Sequence, residues 1–199
     1  SLTGFATETL DRRRIPPMNT SELTAKIAAG NGFIAALDQS GGSTPKALAG
    51  YGIAAGAWSN DEEMFGLIHE MRSRIISAPS FASGKVIGAI LFERTMDGQV
   101  GGKPTPQALI ERGVVPFIKI DKGLEDEANG VQLMKPMPDL DALLVRSKAL
   151  GVYGTKERSV IHATLSTCTG CSAKMAPISH GQGILSLSAS IHTSSALHA

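Results

Sequence analysis

Four apolar runs, each closing on charged residues, constrain this chain more than any other feature. They are GFIAALD over 32–38, ending at Asp38, and KVIGAILFE over 85–93. The third is VVPFIKID, with Lys119 and Asp121, and the fourth is VYGTKERSVI over 152–161, with Lys156 and Arg158. A continuous apolar run bounded by glycine and a polar turn is the pattern of a strand covered on both faces, as in a parallel sheet. Side chains at the ends of such strands are where an α/β enzyme keeps its chemistry, which makes Asp38, Lys119, Asp121, Lys156 and Arg158 the first site candidates.

Helical segments fall between the runs. Asn19 and Glu22 have the spacing of a capping box ahead of Leu23, Ile27 and Ala28. In SGGSTPKAL the glycines supply a tight turn, Ser43 or Thr44 an N-cap and Pro45 the first helical position. DEEMFGLIHEMRSRIIS, 61–77, sets Met64, Leu67, Ile68, Met71, Ile75 and Ile76 on one stripe, with an acidic start and Arg72 and Arg74 complementing the helix dipole. TPQALIERG and LDALLVRSKALG complete the set, ending at Gly113 and Gly151. The order β, α, β, α, β, α, β predicts an α/β fold with a parallel sheet, and the pattern alone leaves a doubly wound sheet and a barrel both open.

The 199 residues can bury one core, and a hydrophobic fraction of 42% suits a soluble globular protein. A net charge of +1 offers no broad field for nucleic acid or an anionic membrane, and no apolar stretch approaches the roughly 20 residues of a membrane span. A small molecule is the expected partner. The two cysteines lie near the C-terminus, so the body carries no disulfide framework and fits a reducing compartment, the cytoplasm. Residues 1–17 form an extension whose Arg12, Arg13 and Arg14 and Ser/Thr content fit the remnant of a plastid transit peptide as well as a disordered leader.

After Glu157 the composition changes. No Asp or Glu follows, the only Lys is Lys174, and Ser and Thr dominate. Residues 18–162 read as the body and 163–199 as an irregular tail with few tertiary contacts. Strand-plus-helix units of about 40 residues, in a barrel of roughly 250, leave room after Lys156 for about one more unit. Cys168 and Cys171, with His162 and His180, lack the spacing of a compact zinc site. His69 reads as a boundary residue of its helix, Trp58 as packing, and Gly101 and Gly102 as a loop.

Ser40, Gly41, Gly42, Ser43 and Lys46 form a loop that suits a phosphate at a helix N-terminus, or ordinary turn and cap chemistry. Strand alternation turns Lys119 and Lys156 either into a site or toward solvent. Here resemblance enters: GFIAALDQSGGSTPKAL, GAILFERTMDGQVGGKPTPQALIERGVVPFIKIDKGL and GVYGTKERSVIH together resemble class I fructose-bisphosphate aldolase in its shorter bacterial-type form, from about Met18 to His162.

That resemblance implies an eight-unit βα barrel of which the four strands are the first half. It also implies metal-free, cofactor-free cleavage of fructose 1,6-bisphosphate to dihydroxyacetone phosphate and glyceraldehyde 3-phosphate through a Schiff base. Asp38 would handle the C4 hydroxyl proton and Lys156 would stabilise charge, while Ser40, Ser43, Lys46, Lys119 and Arg158 would hold hydroxyls and phosphates.

The Schiff-base lysine of that family lies on the sixth strand and its acid/base glutamate on the fifth, and neither is placed in this sequence. Lys174 lacks an apolar strand to desolvate it and so keeps the ordinary basicity of lysine, protonated and non-nucleophilic at neutral pH. A frameshift or gene-model error beginning within a few residues of His162 would explain the tail, and the other two reading frames of the coding DNA would expose it. The expected function is a lyase by family, catalytically incomplete as this chain. A non-catalytic half-barrel that binds sugar phosphates or a protein partner is the alternative, with self-association through open sheet edges expected of both.

Overall fold

The computed structural model describes residues 20–161 and 185–188. In chain order, α1 (Thr20–Ala29) leads to β1 (Phe33–Leu37), followed by α2 (Ser43–Gly50) and α3 (Asp61–Ser77). Then come β2 (Val86–Leu91), α4 (Glu93–Asp97), the small hairpin of β3 (Gln99–Val100) and β4 (Lys103–Pro104), and α5 (Thr105–Glu111). The remainder is β5 (Val115–Lys119), β6 (Val131–Gln132), α6 (Leu140–Ala149), β7 (Gly154–Glu157), β8 (Val160–Ile161) and β9 (Leu185–Ser188).

The main sheet runs β1-β2-β5-β7-β9 with every neighbouring pair parallel. Each new strand joins the far side of the one before. A doubly wound sheet would reverse direction at a switch point, so this unreversed order is that of a barrel segment, and it decides between the two folds the pattern had left open.

Alternation along the strands separates two cores. Leu37, Ala89, Leu91, Ile118 and Ile120 meet Ile76, Met96, Leu109 and Leu143 from the helices, forming the outer layer. On the other face Ile34, Ile90, Val115 and Phe117 meet Leu23 and Ile27 of α1, with Tyr153 edge-on to Phe117 at 5.6 Å between ring centres. The Tyr153 hydroxyl donates to Thr24 Oγ1 at 3.0 Å, which ties α1 to the approach to β7. Helix α1 therefore covers the inner face at its N-terminal end and leaves the C-terminal end of the strands for other uses.

Several expectations are corrected. The fourth strand ends at Glu157, and Val160–Ile161 instead pairs antiparallel with Val131–Gln132, because the loop after β5 folds back to meet it. Helix α2 begins at Ser43 with Gly42 at the cap position and no side-chain cap. Gly41, at φ +53°, turns the chain so that the carbonyls of Ser40 and Gly41 accept from the Ser43 and Thr44 amides, which places Pro45 third in the helix. The tail is not wholly irregular: Leu185–Ser188 supplies a fifth parallel strand in register with Gly154–Glu157. Its LSLS alternation is the period-two signal of a strand, too short to stand out in a Ser-rich stretch. Asn19, His162, Cys168, Cys171, Lys174 and His180 lie outside the described residues.

Helix α3 spans the expected 61–77, capped by Asn60, whose side chain accepts from the Glu63 amide. Trp58 packs with Leu48, Met64 and Ile68, and His69 Nε2 lies 3.0 Å from the Gln99 carbonyl at the edge of the β3–β4 hairpin.

The entry to β1 allows no side chain. A Cβ at Gly32 would stand 2.3 Å from the Lys85 carbonyl oxygen and 2.7 Å from Ile87 Cγ2, where the Phe33 amide already bonds the same carbonyl at 2.9 Å. The obstacle is backbone and cannot rotate away. Gly32→Ala is expected to destabilise the fold by about 2–3 kcal/mol through overpacking, read as a lowered urea midpoint. An unchanged midpoint would show that the β1–β2 contact is looser than this geometry.

Candidate active site

Strand register sets up the site. Leu37 pairs with Leu91, Leu91 with Ile118, and Lys119 with Lys156, so one step along lie Asp38, Phe92, Lys119 and Lys156 at one level. Residues at one level of a parallel sheet share a face, here the inner face that carries Phe117 two residues earlier. Phe92 turns away to stack on Phe65 of α3 at 5.6 Å, and the polar members converge. Lys156 Nζ donates to Asp38 Oδ2 at 3.1 Å and Lys119 Nζ to Ser40 Oγ at 2.9 Å.

Asp121 joins them. Two residues past Lys119 it returns to the same face, with Oδ1 3.3 Å from Lys119 Nζ and Oδ2 3.5 Å from Lys156 Nζ. Its side chain has 0% exposure, and neither oxygen has a hydrogen-bond partner among the described residues, so the two ammonium groups are what offset its burial. Conversely, Asp121 lets two lysines approach one another without unopposed repulsion. The result is a neutral quartet of Asp38, Asp121, Lys119 and Lys156 at the C-terminal end of the sheet.

The remaining candidates lie around it. Ser43 Oγ donates to the Ser40 carbonyl at 3.0 Å and accepts from the Ser40 amide at 3.2 Å, so it shapes the loop that presents Ser40. Lys46 is exposed on α2, and Arg158 is half-buried just past β7 with its Nε enclosed and lacking a hydrogen-bond partner among the described residues. No hydrogen bond or ion pair ties either to the quartet there.

One residue behind the site escaped sequence reasoning in this role. Arg72 is fully buried, donating from Nη1 to Thr95 Oγ1 at 2.6 Å and from Nη2 to the Gln39 carbonyl at 2.6 Å. Burial pushes its pKa down to about 10, partly opposed by the charge of Asp38, and it remains a cation at neutral pH. The missed signal was spacing: Met64, Ile68, Arg72 and Ile76 recur every fourth residue and all are buried, so Arg72 belongs to the packed stripe and not to the solvated end of the helix.

A second network holds the loop after β5. Glu93 Oε2 accepts from Lys122 at 3.0 Å and Glu93 Oε1 from Arg146, whose Nε also pairs with Asp97 at 3.0 Å. Burial pushes the Glu93 carboxyl upward, but the hydrogen bonds and charges of Lys122 and Arg146 outweigh it and hold the group below its ordinary value. Because Lys122 follows Asp121, this network steadies the buried carboxylate. Among the described residues no three His, Cys, Asp or Glu converge as a metal set.

Two measurements check this electrostatic reading. Asp121→Asn leaves two ammonium groups facing each other without their shared anion and is expected to cost about 3 kcal/mol at pH 7 in urea unfolding. A loss near zero would show that Asp121 is dispensable to the pair. A carboxylate held below its unfolded value contributes stability above that value and loses it as pH falls. The stability gap between wild type and Glu93→Gln should therefore be full above pH 4.5 and close as pH drops through the depressed value. A gap that stays constant down to pH 3 would contradict the Glu93 network.

The family model for class-I fructose-bisphosphate aldolase matches residues 20–193. The match continues past His162, where the sequence resemblance was expected to stop. Among solved structures, fructose-bisphosphate aldolase from Plasmodium falciparum, determined in complex with TRAP and a small-molecule inhibitor, is similar at 22% identity and a TM-score of 0.51. The alignment covers 71% of this chain and 40% of that one, so this chain spans less than half the length of the solved protein, and at this identity the likeness speaks to fold. A partial βα barrel, an unreversed parallel sheet and a family match over most of the sequence agree: the chain belongs to the class I fructose-bisphosphate aldolase family.

Proposed function

We propose that this chain provides the sugar-phosphate-binding side of a fructose-bisphosphate aldolase site, and that alone it binds substrate without turning it over. The observation that carries this reading is the convergence of Asp38, Ser40, Lys119 and Lys156 around buried Asp121 at the C-terminal end of the sheet. Lysines held in place at the end of the sheet can contact the phosphates and hydroxyls of a doubly phosphorylated sugar and fix its reacting carbon.

In the cleavage step the C3–C4 bond breaks, the C4 hydroxyl proton leaves and the electron pair passes to C3 and on toward C2. Lys156 engages Asp38 through Oδ2, so Oδ1 is the oxygen that takes the C4 hydroxyl proton. Lys156 then balances the charge that develops. Lys119, Ser40, Ser43, Lys46 and Arg158 hold hydroxyls and phosphates, with Ser40 and Ser43 already linked through the loop.

The electron sink at C2 is an iminium on a lysine, which the resemblance places on a sixth strand, and the acid/base glutamate belongs on a fifth. In the register of this sheet the fifth place in the row of Asp38, Phe92, Lys119 and Lys156 falls to Leu187, which has no proton to exchange. That favours binding without turnover. The unpaired outer edge of β1 among the described residues, with Phe33 57% exposed, supports self-association of the chain.

The purified 199-residue chain should bind fructose 1,6-bisphosphate in calorimetry, and Lys119→Met should weaken that binding about tenfold, the loss of one charge-assisted contact. No turnover and no borohydride-trapped adduct with dihydroxyacetone phosphate are expected. An adduct on any lysine would overturn the incompleteness, and absence of binding to either sugar phosphate would overturn the site.

A further inference from the structure

The segment that brings Asp38 into the quartet and Ser40 against Lys119 is held from behind by the guanidinium of Arg72. Gln39 lies between them, and its carbonyl belongs to the peptide that links Gln39 to Ser40. Arg72 Nη2 donates to that carbonyl at 2.6 Å and reaches the Gln39 side-chain oxygen at 3.3 Å, while Nη1 donates to Thr95 Oγ1 at 2.6 Å. Thr95 is buried in α4, directly after β2. One side chain of α3 thus binds the end of β1 to the element that follows β2.

The two residues flanking Gln39 are those that touch the lysines: Asp38 meets Lys156 at 3.1 Å and Ser40 meets Lys119 at 2.9 Å. A rotation of the Gln39–Ser40 peptide would move both contacts together. Packing alone does not call for a cation here, since the same stripe is filled by Met64, Ile68 and Ile76, and replacing a buried charge by an apolar residue of similar volume is often neutral or stabilising. The Nε of Arg72 is buried without a hydrogen-bond partner among the described residues, a further cost that an apolar residue would not incur.

We propose that Arg72 is the positioning residue that sets Asp38 and Ser40 against Lys156 and Lys119. A fork is required because the two acceptors, a hydroxyl and a carbonyl, stand on different elements and need separate donors held in one plane. A lysine at this position would keep the charge and lose the bridge.

The inference rests on the reading of Asp38 and Lys156 as site residues, and its test uses neither substrate nor turnover, so its failure and that of the sugar-phosphate reading remain distinct. In the 199-residue chain, Arg72→Met should raise amide exchange across residues 38–44 about tenfold, as expected for loss of a charge-assisted hydrogen bond. Competitive acetylation should show Lys156 gaining reactivity about threefold or more against exposed Lys85, because the carboxylate of Asp38 that favours its charged, non-nucleophilic form has moved away. Arg72→Lys should fall between the two. A merely structural role would not change the ratio of Lys156 to Lys85.

Unchanged exchange and an unchanged ratio in Arg72→Met, with α3 still protected, would overturn the proposal. If that variant loses protection across Asp61–Ser77, Thr95→Val decides. Removing that one acceptor should still raise exchange across 38–44 and the Lys156 ratio, and no change in either would equally overturn it.

Discussion

An acidic side chain with no exposed surface needs cations against it to offset the cost of its burial, and Asp121 has two. That constraint organises the end of the sheet. Lys119 closes β5 and Asp121 follows two residues later on the same face, so the end of β5 and the segment directly after it supply both an ammonium and its counter-ion. Register between β5 and β7 then brings Lys156 level with Lys119, and the same carboxylate serves both. Without it the two lysines would repel across a weakly screening environment, and the register that buries Phe117 and Ile118 would work against the charges above them.

The site and the fold use opposite ends and faces of the same strands. Outer residues such as Leu91 and Ile118 join the helical layer, inner residues such as Ile34 and Phe117 meet α1, and the polar residues begin where α1 no longer reaches. The unreversed strand order means that no crevice forms at a switch point, so the open end of the inner face is where this architecture can present a polar cluster. The loops reinforce it: β6 and β8 join the segments that follow β5 and β7, and Glu93 anchors Lys122 beside Asp121.

Much of this was legible in the sequence because the decisive signals are local. GFIAALD and VVPFIKID announce buried parallel strands by unbroken apolarity, and strand ends mark Asp38, Lys119 and Lys156 without any knowledge of neighbours. What was not legible depends on contacts between distant residues. Asp121 was seen as a strand-end charge, but its role as a shared counter-ion needs the register of β7. Arg72 was read as a dipole-complementing charge although its four-residue spacing from Ile68 and Ile76 placed it in the core, because a sequence does not disclose which acceptors await a buried guanidinium. Val160–Ile161 left the fourth strand for a partner nearly thirty residues upstream. Leu185–Ser188 joined the sheet on a pattern too brief to outweigh its surroundings.

On the sugar-phosphate reading, the balance of the quartet has its own consequence. Two carboxylates and two ammonium groups cancel, so at a distance the cluster presents little net attraction for an anion, and an arriving phosphate must compete with Asp38 and Asp121 for the same lysines. Long-range attraction would then come from cations outside the quartet: exposed Lys46, half-buried Arg158 and, from behind the loop, Arg72. Lys119 and Lys156 are better suited to act at contact, where an exchange of carboxylate for phosphate costs little because the ammonium groups are already desolvated and held in place. Steering and holding would thus fall to different residues, and the paired lysines would be prevented by their own counter-ions from binding anions indiscriminately.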